Sequence, residues 1–440
     1  MDIVSSLPDH LLHHILSFLP TQESVRTSVL SRRWQRVWIG LPTFTFDDKR
    51  GSSIAGFASS VDAVLAPRLL QGTVDRLQIS VRHPPHIARA NEWLQRAAER
   101  VREDISIIFH ENSPAERILH DTDNGYDRIV LHLPCGGRAT ALTLDFHVVG
   151  IATLVIPPAV PSSLLTRLEL KFLRVDASSL SRFVSSRCPS LRKLVVHTFG
   201  DMDALRFSND ALEDLDIHFY FGGLRRLEVW SRNLRRLWVR GVFSPEAMAH
   251  DGSKLASFFT PRLEHLCWTS SISIDPSRID FAHRLSTVRQ LEVELASHAL
   301  VHHTRWYRDR NKLAPMSAFG VMYSDLMAVI PHLSTVTDLT VSTILDHHAY
   351  GSSIARLLSR CSNIETLTIL VKEEKCEDEY TCPLTSACWC KCPADWREQK
   401  LCLDSLRQLD LKGFSKADWL PDLVTLLCCA RHVVNVNYCD

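Results

Sequence analysis

Leu191–Ile217 reads LRKLVVHTFGDMDALRFSNDALEDLDI. One pattern occurs twice in it: an apolar residue, two variable ones, Leu, one variable residue, then an apolar residue. The copies are Leu191-Leu194-Val196 and Leu212-Leu215-Ile217. Alternate apolar positions over so few residues predict a short strand with one buried face. Upstream the pattern recurs as Val74-Leu77-Ile79 and Leu165-Leu168-Leu170, with a weaker Ala139-Leu142-Leu144 between them. Downstream it recurs as Leu224-Leu227-Val229, Leu234-Leu237-Val239, Leu263-Leu266-Trp268 and Val288-Leu291-Val293. Val336-Leu339-Val341, Ile364-Leu367-Ile369 and Leu406-Leu409-Leu411 complete the series.

The central leucines 142, 168, 194, 215, 237, 266 and 291 stand 21 to 29 residues apart. That is the period of leucine-rich repeats, where each unit supplies one parallel strand and a helical or irregular return. One unit cannot bury its own apolar edge, so neighbours stack into a continuous core. The expected fold class is therefore α/β, an irregular solenoid of parallel strands. Two returns read as helices, Ser178–Arg187 and Ile354–Arg360, leading into Cys188-Pro189-Ser190-Leu191 and Cys361-Ser362-Asn363-Ile364. Cys188 and Cys361 read as small buried side chains. Leu291 to Leu339 is about two periods, so a repeat there is degenerate or replaced by an insertion. Leu227 and Leu237 are only ten residues apart, short for a parallel crossover, which implies a minimal return or a local hairpin.

Ahead of the repeats, Ser6–Trp38 reads SLPDHLLHHILSFLPTQESVRTSVLSRRWQRVW. Pro8 and Asp9 suit a helix start, and Leu11, Leu12, Ile15, Leu16, Phe18 and Leu19 recur at helical spacing up to Pro20. Thr21 is placed to cap a second helix and Ser31 a third carrying Trp34, Val37 and Trp38. Three short helices carry more apolar side chains than they can bury among themselves, so a partner or the domain behind them covers the rest. Further on, Ile54–Leu70 and Trp93–Val101 also read as helices, and Leu41–Phe46 alternates like a strand.

The order Leu7-Pro8-Asp9, Leu12, Ile15-Leu16, Leu19-Pro20, Val25, Val29-Leu30-Ser31-Arg32-Arg33-Trp34, Val37-Trp38 resembles the F-box. In that family the motif docks on the Skp adaptor of a cullin–RING ubiquitin ligase. At the other end, Cys390-Lys391-Cys392-Pro393-Ala394-Asp395-Trp396 and Leu409-Asp410-Leu411-Lys412-Gly413-Phe414 are similar to the FBD-type region of plant F-box/leucine-rich-repeat proteins. The resemblance implies residues 1–45 as F-box, 46–73 as a linker with a helix, and 74–371 as solenoid. Residues 372–403 are then an acidic Cys-rich insertion and 404–440 an FBD-like cap.

Composition fits an ordinary globular chain, with 45% hydrophobic and 23% charged residues. Fifty Lys and Arg balance fifty Asp and Glu, so no global field steers the chain to nucleic acid or membranes. Met1-Asp2 leads directly into the amphipathic motif, so no signal peptide is read, and Val148–Val160 is too short and Pro-broken to span a bilayer. Thirteen cysteines, an odd number, read as reduced thiols, in keeping with nucleus or cytoplasm.

Cys376, Cys382, Cys388, Cys390, Cys392 and Cys402 form a Cys-rich stretch. Its tightest spacing is C-x-C-x-C with no second knuckle, so a loop of reduced thiols is preferred to zinc and no cofactor is assigned. His13-His14, His302-His303 and His347-His348 are adjacent pairs that point to different faces, and no catalytic motif is present. The resemblance implies a non-catalytic receptor that reaches cullin and RING subunits through the adaptor. Leu7, Pro8, Leu12, Ile15, Leu19, Val25, Val29, Leu30, Trp34 and Trp38 would serve adaptor docking or the fold of the docking unit. A target protein would meet outward strand positions, among them Glu228, Trp230, Trp238, Arg240, Glu292 and Glu294. Exposed Trp with Arg has the composition of an interface hot spot, though both Trp could instead pack under a loop. Two other readings stay open: a repeat scaffold without a ligase role, and a sensor or enzyme built on the C-terminal thiols. Lys372–Cys402 and His302–Phe319 read as irregular insertions.

Overall fold

The computed structural model describes residues 7–48, 54–66, 74–82, 88–110, 129–134, 136–147, 152–158, 163–243, 254–269, 278–281, 285–295, 333–344, 351–372, 401, 403–413, 423, 425, 427 and 435–439. The chain divides into two compact units, Met1–Gly200 with Arg206–Leu212, and Asp201–Leu205 with Glu213–Asp440.

The first unit opens with helices α1 (Asp9–Ser17), α2 (Thr21–Arg26) and α3 (Trp34–Val37), followed by strand β1 (Thr43–Asp47). A parallel ladder then runs through β1, β2 (Val74–Val81), β3 (Val101–Phe109), β5 (Ala141–Phe146), β7 (Arg167–Lys171) and the start of β9 (Lys193–Ser208). Its inward row is Phe44, Leu77, Ile105, Leu142, Leu168 and Leu194, all buried. A second row joins β4 (Ile129–His132), β6 (Ala152–Val155) and β8 (Arg174–Val175), also parallel. Returns hold helices α4 (Ile54–Leu65), α5 (Ala90–Arg100) and α6 (Ala177–Ser186). Trp93 of α5 lies edge-on to Phe57 of α4, and its indole N–H donates to Asp62 Oδ1 at 3.0 Å. Burying such rings contributes about 1.5–3 kcal/mol apiece.

Two expectations change here. The ladder starts at Thr43, ahead of Val74: β1 coincides with the strand expected at Leu41–Phe46, and the helix expected within 46–73 forms the first helical return. The β3 strand escapes the repeat pattern altogether. Val74 pairs with Val101 but Arg76 pairs with Asp104, a bulge that inserts one residue into β3. Its apolar positions are therefore Val101, Ile105 and Ile107, four and two apart instead of three and two.

In the second unit the ladder is β10 (Asp214–Trp230), β11 (Arg236–Arg240), β13 (His265–Thr269), β15 (Gln290–Leu295), β16 (Asp338–Ile344), β17 (Thr366–Lys372), β18 (Gln408–Lys412) and β19 (Asn435–Cys439). Leu215, Leu237, Leu266, Leu291, Leu339, Leu367, Leu409 and Val436 align in register. Helix α7 (Gly351–Leu358) occupies the return between β16 and β17.

Strand β10 removes the ten-residue anomaly. Residues 214–218 pair with β11, whereas residues 227–230 pair with β12 (Ala256–Phe259), which pairs in turn with β14 (Ile279–Phe281). Leu227 thus belongs to a second row, and the true ladder neighbour of Leu237 is Leu215. Neither a minimal return nor a hairpin occurs. Leu291 pairs directly with Leu339, so β15 and β16 are ladder neighbours despite the long interval between them.

Cys188 and Cys361 are fully buried after α6 and α7, as their spacing implied. Buried Asn209 donates to the carbonyls of Val184 and Cys188 at 2.9 and 2.8 Å, closing the end of the α6 return. Gly413 adopts φ +77°, and a Cβ there would lie 2.0 Å from the Val371 carbonyl oxygen. Only glycine suits that strand exit. The segment His302–Phe319, Trp396 and the cysteines at 376, 382, 388, 390, 392 and 402 lie outside the described residues. Among the described residues no helix is long and apolar enough to cross a membrane.

Candidate functional site

Two surfaces carry the sequence-predicted residues, one in each unit. The first is built by α1–α3. Helix α1 begins at Asp9 with Pro8 as its N-cap, and the Pro8 carbonyl accepts from Leu11 and Leu12 N–H. Leu12 and Leu16 point inward with Trp34, Val37 and Trp38. Arg33 binds the start of α1, donating through Nε to Asp9 Oδ1 at 3.0 Å and through a terminal nitrogen to the Leu7 carbonyl at 2.5 Å.

Thr21 is not a cap. Pro20 precedes α2, while Thr21 is buried and its Oγ1 accepts from the Thr45 N–H of β1 at 2.7 Å. Ser31 Oγ lies 3.5 Å from Trp34 N, too long for a strong cap. The Thr21 bond ties the helices to the first strand of the ladder.

Of the ten residues expected to serve docking or the fold of the docking unit, Leu12, Trp34 and Trp38 are buried and pack within the helices. Pro8, Ile15, Leu19, Val29 and Leu30 are exposed, Leu7 and Val25 half-buried. The structure adds Leu11 and Phe18, at 40% and 75% exposure, beside Val29 at 85% and Leu30 at 64%. Large apolar side chains thus stay open on α1 and on the segment after α2, an exposure that marks surfaces apt for burial. Phe18 could have been read from the sequence, because it falls off the Leu12–Leu16 stripe by half a turn.

The second surface is the outward side of the second-unit ladder. Trp238 and Arg240 lie there on β11 and Glu292 and Glu294 on β15, with β13 between them. Glu228 and Trp230 do not join them. They sit on the far half of β10 and pair with Ser257 and Phe259, where Trp230 stacks on Phe259 at 5.8 Å. The expected Trp230–Trp238–Arg240 cluster is therefore split, because β10 leaves the ladder before residue 228.

Arg240 grips Asp216 through two contacts of 2.6 and 2.8 Å. Burial pulls its guanidinium down, but Asp216 outweighs that and raises it above the ordinary arginine value. Trp238 leans on His265, ring centroids 5.0 Å apart. Burial, aided by Arg236, pushes His265 below the usual imidazole range despite Glu292, favouring the uncharged ring. Cys267, buried between Trp238 and Glu292 in register, has its thiol pushed up to about 12, chiefly by burial and then by Glu292. A thiol so raised is a poor nucleophile. Among the described residues no group of three or more His, Cys, Asp or Glu is arranged to hold a metal.

Comparison with known proteins bears on the first of these surfaces. The F-box domain family model matches residues 4–45. The F-box/LRR-repeat protein At4g14103 of Arabidopsis thaliana is 24% identical over 417 residues, covering 89% of this chain and 96% of that protein. The F-box/FBD/LRR-repeat protein At5g22660 of the same plant is 30% identical over 226 residues, 49% of this chain and 45% of that one. The F-box/LRR-repeat protein At5g02910, also from Arabidopsis thaliana, is 46% identical over 66 residues, 15% of this chain and 13% of its own. With several relatives the match spans two fifths of their length or less.

Proposed function

We propose that this F-box protein is the substrate-recognition subunit of a Skp–cullin–F-box ubiquitin ligase, working in nucleus or cytoplasm. One observation carries the reading: the residues matched by the F-box model split into an interior set and an open apolar set. Leu12, Leu16, Trp34, Val37 and Trp38 are buried, while Leu11, Ile15, Phe18, Leu19, Val29 and Leu30 are exposed. An adaptor seated on that open set removes several large side chains from water, at about 25 cal/mol per Å² of apolar area.

The receptor supplies position, not bond-making. Conjugation proceeds on the RING subunit and its charged partner enzyme, and the receptor raises the effective concentration of a target lysine at the thioester. The target contacts are assigned to Trp238, Arg240, Glu292 and Glu294 on the outward ladder face.

The test has two stages. The full chain is co-purified with a plant Skp adaptor, beside the surface variant Val29→Asp/Leu30→Asp. The adaptor complex is then assembled with cullin and RING subunits and assayed for ubiquitin transfer to a captured target. Wild-type co-purification lost in the variant, followed by transfer, supports the receptor. Adaptor binding without transfer to any bound protein supports a repeat scaffold instead.

A further inference from the structure

Two separate stretches carry the open apolar side chains: Leu11, Ile15, Phe18 and Leu19 on α1 and its exit, and Val29 and Leu30 after α2. A partner that covers both loses affinity if binding must first order one against the other. Below the surface, Leu12 and Leu16 of α1 are buried, as are Trp34 and Val37 of α3. The start of α1 lies ahead of that packing. Its N-cap is Pro8, whose side chain has no group to bond the first-turn N–H groups, and a helix of nine residues is marginal by itself. Leu11, 40% exposed, sits in that first turn.

Arg33 reaches that start from 24 residues along the chain. Its Nε and one terminal nitrogen donate to Asp9 Oδ1 at 3.0 and 2.5 Å, and the same terminal nitrogen donates to the Leu7 carbonyl at 2.5 Å. Arg33 stands three residues after Leu30 and is the N-cap of α3. One guanidinium thus ties the residues on both sides of Pro8 to the turn that follows Val29 and Leu30. Its planar fork suits two acceptors in fixed positions, which a lysine ammonium does not match. The Arg33 and Asp9 side chains are 39% and 63% exposed, and a pair so open adds little to stability. We propose that Arg33 is a positioning residue for adaptor docking: by holding Leu7 and Asp9 it fixes the start of α1 relative to Val29 and Leu30 before the adaptor arrives.

Adaptor docking itself rests on the receptor reading, and the test keeps the two apart. The full chain is titrated with the Skp adaptor by calorimetry, at a temperature where thermal melts show every variant folded. The variants are Arg33→Gln, Asp9→Ala, the two combined, Arg33→Lys, and Glu103→Gln, whose exposed carboxylate pairs with Arg76 on the ladder. Arg33→Gln and Asp9→Ala are each expected to weaken binding about threefold to fivefold with the melting temperature scarcely moved. The combined variant loses less than the product of the two, because both remove one link. Arg33→Lys recovers part of the loss, since an ammonium pairs with Asp9 without spanning both acceptors, and Glu103→Gln changes nothing. Amide exchange at Leu11 and Leu12, whose N–H groups donate to the Pro8 carbonyl at 3.0 and 3.2 Å, quickens in Arg33→Gln. Unchanged affinity in Arg33→Gln overturns the positioning role alone. So do losses that multiply in the combined variant, which mean that each side chain touches the adaptor separately, and a fall in melting temperature large enough to account for the lost binding. No binding by the folded wild type overturns the receptor reading and the positioning role with it.

Discussion

The helices at the N-terminus and the ladder of the second unit expose opposite chemistries. On α1 and the segment after α2, Leu, Ile, Val and Phe face outward, with Val29 at 85% exposure. On the ladder the inward positions from Leu215 to Leu411 are apolar apart from the buried Thr343, and outward positions carry Asp, Glu, Arg, Thr and Trp. The first surface gains by leaving water and is insensitive to salt; the second gains through directed charge and weakens with salt.

That contrast breaks most sharply on the helical face. Val29→Asp/Leu30→Asp is expected to weaken adaptor binding about a hundredfold or more while leaving the melting temperature in place, because both side chains are exposed. Calorimetry for affinity and a thermal melt for stability check it. Trp34→Ala gives the reverse signature. Trp34 is 4% exposed, so the substitution costs about 3–5 kcal/mol of stability, and adaptor binding falls only through unfolding. A denaturant titration that moved less than about 1 kcal/mol would place the ring outside the core.

The ladder has its own fault line. Gly413→Ala puts a methyl against the Val371 carbonyl at a positive φ, and is expected to cost about 1–3 kcal/mol or more. Hydrogen exchange should show β17 and β18 loosened and α1–α3 unaffected. The smallest effect concerns charge in the first unit. Burial alone would raise the Glu169 carboxyl, but its bonds to Lys193 at 2.8 Å and Lys171 at 3.2 Å hold it below the ordinary glutamate value. A depressed carboxyl contributes stability that is present above its unfolded value, near 4.5, and lost as pH falls through the folded value. Glu169→Gln should therefore lower stability slightly at neutral pH and leave it nearly unchanged in acid. Thermal melts across pH would show it as a shallower acid limb.

Legibility in the sequence follows the same division. Residues that face the core repeat with a period, so the leucines of β5, β7, β9 and β16–β18 can be picked out from residue order alone. Where local geometry alters the spacing, the pattern misleads. The β3 bulge moves Ile105 out of step, and β10 runs on past the ladder, so Leu227 mimics a repeat that is not there. The order of residue types in the N-terminal helices identifies the F-box but not its inside from its outside. Leu12 and Leu11 are neighbours of the same type, and only their angle about the α1 axis buries one and exposes the other. Outward residues follow no period. Nearness in sequence therefore groups Glu228 and Trp230 with Trp238 and Arg240, which the register separates, and only the register brings the Asp–Arg matching of β10 and β11 into view.

The most direct measurement is a calorimetric titration of the full chain with the Skp adaptor, at two temperatures and two salt concentrations. Burial of the open Leu, Ile, Phe and Val side chains predicts saturable one-to-one binding, a negative heat-capacity change, and an affinity that salt barely moves. No binding by the folded chain, or binding that high salt abolishes and Val29→Asp/Leu30→Asp leaves intact, would contradict the docking role of the helical face.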